Sequence, residues 1–321
     1  MRAFWWPALS GTAAALVVAS SMSMGSRRAG AQGSRVVEPS PAELAIALGR
    51  FDVAEDALYE DIRRTPREPS ARGALGAFLA ARGRFQIGAT LFDEAMVFGG
   101  DTAKLQARML ELFRWTVQYD RAAGLRAARL TPEERESMRR APGTAASGEA
   151  FSIVPMQPNE SLGIGRISIA VGTELVEADI QPLLPGVQLP ATLTMYGMVD
   201  VTGARGDTTY AVARSVSIGG VTIGPVPVTL VAGLRVARLG LDVLAQLTPT
   251  FDATARTLTV RSTTSRAPGD LLPLLLRFPG VSFVAAEGQP PVLLHTPAGR
   301  SAVRGVRWTL DVARGGIVVE R

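Results

Sequence analysis

The stretch Val216-Ser-Ile-Gly-Gly-Val-Thr-Ile-Gly224, the run Val226-Pro-Val-Thr-Leu-Val231, then Arg238-Leu-Gly-Leu-Asp242-Val-Leu244 and Phe251-Asp252-Ala-Thr-Ala-Arg-Thr-Leu258-Thr-Val260-Arg261 together decide the fold of the C-terminal half. Val216 to Gly224 alternates about a Gly-Gly pair, the pattern of a tight hairpin. Val226 to Val231 alternates again and predicts a strand. Gly240 breaks the alternation and hinges into a short helix, and Phe251 to Arg261 closes with another hairpin. Upstream, Ile167 to Gly172 predicts a strand and Thr173 to Ile180 its return.

This order resembles the retropepsin-like aspartic proteases over residues 151–261. The resemblance implies a mainly-β, barrel-like domain carrying a catalytic loop, a flap hairpin, a hydrophobic-Gly-x-Asp turn and a closing hairpin. It also implies a homodimer: two carboxylates about 3 Å apart must share a proton, one activating water and the other acting as acid, and one lobe supplies one aspartate. No Asp-Thr-Gly or Asp-Ser-Gly occurs in the chain, and three registers stand in for it. In the first, Asp179-Ile180-Gln181 takes the place of the triplet. Asp179 is then the catalytic candidate, and Gly203 and Gly206 mark a flap-like hairpin from Thr202 to Thr208. In the second, Ala170-Val171-Gly172-Thr173 puts alanine at the catalytic position. In the third, Val199-Asp200-Val201-Thr202-Gly203-Ala204 leaves only 40 residues to Gly240, too few for a flap. Spacing favours the first. Gln181 stands where the family needs glycine for a turn with no room for a Cβ, and Pro182 follows it, which argues against a working loop. Asp242 and Asp252 are read as structural.

Residues 40–140 repeat. Gly49-x-Phe51-x-x-Ala54-x-x-x-Leu58 recurs as Gly83-x-Phe85-x-x-Gly88-x-x-x-Phe92 and as Val117-x-Tyr119-x-x-Ala122-x-x-x-Arg126, in steps of 34 residues. This period, with small residues where paired helices approach, is similar to the tetratricopeptide repeat, which implies an all-α solenoid. Ser40-Pro-Ala-Glu43 and Thr131-Pro-Glu-Glu134 read as capping boxes. The resulting surface is either a groove for a peptide or protein partner or a purely structural face. Ala141 to Ala150 reads as a linker.

Met1-Arg2, the apolar run to Met24 and Ala29-Gly30-Ala31 read as a cleaved export signal over residues 1–31, leaving no integral membrane span and a periplasmic or extracellular protein. With no Cys there is neither a disulfide framework nor thiol chemistry. The net charge of +5 comes almost wholly from Arg, Lys104 being the only lysine. It forms no like-charge block, so nucleic acid is not an expected partner. His295 is the only histidine and no Gly-x-Ser-x-Gly elbow accompanies it, which excludes a serine-hydrolase reading. Neither metal-ligand spacing nor a dinucleotide fingerprint appears, so no metal or cofactor is expected. Residues 262–321 read as a C-terminal β extension. There Leu310-Asp311 to Val319 echoes Phe251-Asp252 to Val260, as a shortened second lobe or as one more hairpin.

The expectation is an α+β protein with tetratricopeptide-like helices followed by a retropepsin-like β domain. Its leading function is peptide or protein binding by a degenerate protease-like chain. The alternatives are a dimeric aspartic endopeptidase using Asp179 and a structural subunit of an envelope assembly.

Overall fold

The computed structural model describes residues 38–158, 164–263, 267–276 and 280–320. The leader expected over residues 1–31 lies outside them. No helix among the described residues is long and apolar enough to cross a membrane.

The N-terminal region is helical: α1 (Pro41–Ala47), α2 (Phe51–Arg64), α3 (Pro69–Ala81), α4 (Phe85–Val97), α5 (Thr102–Trp115), α6 (Tyr119–Gly124) and α7 (Pro132–Arg139). The first six form three pairs, and the second helix of each opens at Phe51, Phe85 or Tyr119, on the 34-residue step. Small residues set the helix spacing. A Cβ at Gly88 would sit 2.9 Å from both Ala80 Cβ and Gly76 O, so α3 and α4 meet where both backbones are bare. Phe51 meets Phe78 edge-on, with centroids 6.2 Å apart. Ser40 forms the full capping box with Glu43. At Thr131 only half of it exists: the hydroxyl accepts from Glu134 N, while the Glu134 carboxylate binds Arg114 at 2.5 Å.

The three turns between paired helices share one conformation, with left-handed φ at Gly49 (66°), Gly83 (78°) and Val117 (48°). All three rest on the β region. A Cβ at Gly49 would collide with Gln289 O, and one at Gly83 with Val312 O. Beside Val117, Gln246 Nε2 donates to Trp115 O at 2.6 Å. Arg82 donates to Leu274 O (2.7 Å) and Gly315 O (3.1 Å), fixing the second turn further.

The β region opens with β1 (Ala145–Gly148), which pairs with β9 (Val221–Gly224). The stretch expected as a linker thus contributes an edge strand, and Ala141 at its start is fully buried. The first sheet runs β1-β9-β8-β3-β4-β11-β5-β10-β7-β6, where β3 is Arg166–Val171, β4 Glu174–Gln181, β5 Val187–Pro190, β6 Val199–Arg205, β7 Thr208–Ala213, β8 Val216–Ile218, β10 Val226–Val231 and β11 Ala237–Gly240. At its centre β4 runs parallel to β11 and β10 parallel to β5, while β11 and β5 are antiparallel. The second sheet runs β16-β15-β14-β18-β17-β12-β13-β2, where β2 is Phe151–Pro155, β12 Thr250–Asp252, β13 Thr257–Arg261, β14 Asp270–Leu276, β15 Val281–Phe283, β16 Val292–Leu293, β17 Arg307–Asp311 and β18 Gly316–Glu320. One apolar core joins both sheets. Two short helices, α8 (Leu241–Leu244) and α9 (Pro297–Ala302), complete the fold.

The two hairpins at the middle of the second sheet repeat one another. Phe251 faces Leu258 and Asp252 faces Thr257; likewise Leu310 faces Ile317 and Asp311 faces Gly316. In each turn the Asp Oδ1 accepts the N–H three residues on, from Ala255 (2.7 Å) or Arg314 (3.0 Å), and the next residue, Arg256 or Gly315, is left-handed. The hairpins join edge to edge, with Thr250 opposite Thr309. The likeness extends backward: strand, short helix and hairpin follow as β11-α8-β12-β13 and again as β16-α9-β17-β18. The C-terminal segment therefore repeats this element order in shortened form. Only residues 284–291 join β15 to β16, whereas β6 to β10 stand between β5 and β11.

Candidate functional site

The connection from β4 to β5, Pro182-Leu-Leu-Pro-Gly186, is held by the hinge after β11. Gly240 N donates to Gly186 O at 2.8 Å. Gly186 N in turn faces both Asp242 carboxylate oxygens, at 3.0 and 2.9 Å. A Cβ at Gly240 would collide with the Asp242 carboxylate, which is why the hinge carries glycine. Asp242 is only 3% exposed. Burial pushes its carboxyl up to about 6, against the opposing pull of the Gly186 and Val243 amides and the Arg114 charge. Its oxygens are committed to the loop, so it fastens the backbone and offers no group to a substrate.

Asp179, the sequence-derived catalytic candidate, lies within β4, ahead of the loop. In the strand alternation Ala178 and Ile180 point into the core and Asp179 to the other face. Its register partner in β3 is Arg166, which clasps it with Nε to Oδ1 at 2.7 Å and NH2 to Oδ2 at 3.2 Å. That bond and the Asp179 charge raise the Arg166 guanidinium above its ordinary range. Asp200 is exposed on β6, 3.5 Å from Arg214, and Ala170 sits inside β3 opposite Leu175. The loop from Pro182 to Gly186 contains no carboxylate.

The flap-like hairpin exists as β6 and β7, with Gly206 at its turn (φ 61°) and a register shift between Val201 and Gly203. Its root is docked on the helices. Thr202 Oγ1 lies 3.1 Å from Glu133 O at the start of α7, and a Cβ at Gly203 would come within 2.5 Å of Glu133 Cγ. Glycine at 203 therefore serves helix packing.

The second half brings Gly280 to the same place. Residues 184–187 read Leu-Pro-Gly-Val and residues 278–281 read Phe-Pro-Gly-Val. A Cβ at Gly280 would lie 3.3 Å from Leu183 Cδ2 and 3.7 Å from His295 Nδ1. His295 follows Leu294, whose N–H donates to Val281 O at 2.9 Å, and so occupies the place that Gly240 takes in the first half. Its buried Nδ1 has no hydrogen-bond partner among the described residues. Burial and the nearby Arg300 charge hold the imidazole below its usual range. Sequence reasoning missed this seam, although the repeated Pro-Gly-Val was there to find it. Apolar side chains and glycine backbone meet at the seam.

A second candidate is the groove formed by α1, α3 and α5, a cavity of about 490 Å³ whose lining includes Glu43, Ile46, Ala77, Asp101, Lys104 and Arg108. Its floor is made of small residues, Gly73, Ala74 and Ala77, so a chain laid along it can approach the helix backbones. Arg108 NH1 reaches Gly73 O only at 3.4 Å, and burial lowers its guanidinium below the ordinary range.

Neither a family model nor a curated protein matches the chain. Among solved structures it is similar to a retropepsin-like aspartic protease from Rickettsia conorii, at 14% identity and a TM-score of 0.28, over 36% of this chain and 93% of that one.

Proposed function

We propose that the chain is an exported peptide- or protein-binding protein. A tetratricopeptide-like groove over α1, α3 and α5 takes the ligand, and a retropepsin-like β region, degenerate as a protease, serves as its platform. The observation that carries this reading is the Pro182 to Gly186 loop: the position where a proton-sharing aspartate is needed has none, and Asp179 is bound by Arg166. A second observation weighs against the dimeric endopeptidase. The β12 edge already pairs with β17 of the same chain and so is not open to strand addition by a second copy. Placement in the periplasm or outside the cell rests on the leader-like residues 1–31.

The test is selection of peptides from a random display library on the full mature chain, followed by titration against Ala77→Trp. That change fills the groove floor from a half-buried position. Selected peptides should bind the parent saturably and lose at least about tenfold in affinity on the variant, with unchanged melting. Peptides that bind both equally would place recognition elsewhere.

A further inference from the structure

We propose that the cleft between α9 and the β12–β17 seam binds a free alkyl carboxylate. The cleft has a volume of about 500 Å³, within the range of small-molecule sites. Its floor is Phe251 stacked on Trp308, with centroids 4.2 Å apart and planes at 21°. Leu294 and Val303 flank the pair, and Met156 and Ile164 close the side toward β2 and β3. It belongs to neither half alone: Phe251 and Met156 come from the first, Trp308 and Leu294 from the second. It is separate from the helical groove and independent of the reading given to that groove.

The mouth sets the charge of the ligand. Arg300 and Arg304 line it together with Ser301, and no acidic side chain does among the described residues. Arg304 is exposed and makes no ion pair among the described residues. A carboxylate placed there gains a charge-assisted hydrogen bond at the water boundary while its chain enters the apolar floor. An alkylammonium of the same length meets the Arg304 guanidinium instead. A peptide segment fits less well, because every residue brings an N–H and a C=O that need partners, and the polar lining is confined to the mouth.

The experiment is calorimetric titration of the full chain with octanoate, octylamine and octanol, with Trp fluorescence followed in parallel. Two exposed-site variants, Arg304→Glu and Ser301→Trp, are checked first for unchanged melting. The expected result is saturable binding of one octanoate with a change in Trp emission, weakened about tenfold or more by Arg304→Glu and abolished by Ser301→Trp. Octylamine should not bind, and octanol should bind more weakly than octanoate and be indifferent to Arg304→Glu. Absence of saturable octanoate binding overturns the proposal, as does equal affinity for octylamine or octanoate binding that neither variant alters. Displacement of octanoate by the tripeptide Ala-Leu-Leu at lower concentration overturns the choice of ligand.

Discussion

The hydroxyls of Thr250 and Thr309 meet at 2.7 Å where the two repeated hairpins join, and Arg261 NH1 completes the group by donating to Thr250 Oγ1 at 2.8 Å. Both threonines are essentially without solvent contact. Removing the Thr309 hydroxyl leaves the buried Thr250 hydroxyl with Arg261 as its remaining partner, so Thr309→Val is expected to cost about 1 kcal/mol in denaturant titrations. The same seam pairs the β12 edge within the chain. Light scattering across a hundredfold concentration range should return the mass of one chain.

Asp242 makes stability depend on pH in a direction that can be worked out. Its carboxyl is pushed up to about 6 in the folded chain from an ordinary 3.8. The folded state therefore binds the proton more tightly than the unfolded state does. The associated stability is fully present below about pH 4 and is lost as pH rises through about 6. The difference corresponds to about 3 kcal/mol. Urea titrations of the parent and Asp242→Asn at pH 4 and pH 7.5 should show the parent losing that much more than the variant. Parallel behaviour of the two would place the titration elsewhere.

The three helix-pair turns invite opposite substitutions. Val117 is a β-branched residue in the left-handed region, and Val117→Gly relieves that strain, with an expected gain of about 1 kcal/mol. Gly83→Ala adds a Cβ that collides with Val312 O and is expected to cost at least about 2 kcal/mol. Thermal melts of the two variants should move in opposite directions.

Much of this architecture was legible in the chain. The 34-residue steps located the second helix of each pair, because Phe51, Phe85 and Tyr119 follow turns whose geometry the packing repeats. The Gly240 hinge and the closing hairpin were readable from alternation broken by glycine. The misread stretches are those where tertiary pairing overrides composition. Ala145 to Gly148 looks like a linker and becomes a strand only because β9 supplies hydrogen bonds. Pro297 to Ala302 falls in the expected β extension and is a helix capped by Thr296. The site was harder to read. Placing Asp179 by spacing assumed that the triplet forms the loop, whereas all three of its residues lie in β4 and the turn begins at Pro182. The seam was hidden because its second loop lies almost a hundred residues downstream, and only the topology brings Gly280 to Leu183.

Proteolysis tests most directly the proposed lack of a proton-sharing carboxylate pair. The purified mature chain should cleave no member of a diverse peptide library between pH 3 and pH 7, with or without pepstatin. Asp179→Asn should leave that result unchanged and cost no more than about 1 kcal/mol of stability, as expected for a surface ion pair. A pepstatin-sensitive cleavage in this pH range that disappears in Asp179→Asn would contradict the account and make the chain an aspartic endopeptidase.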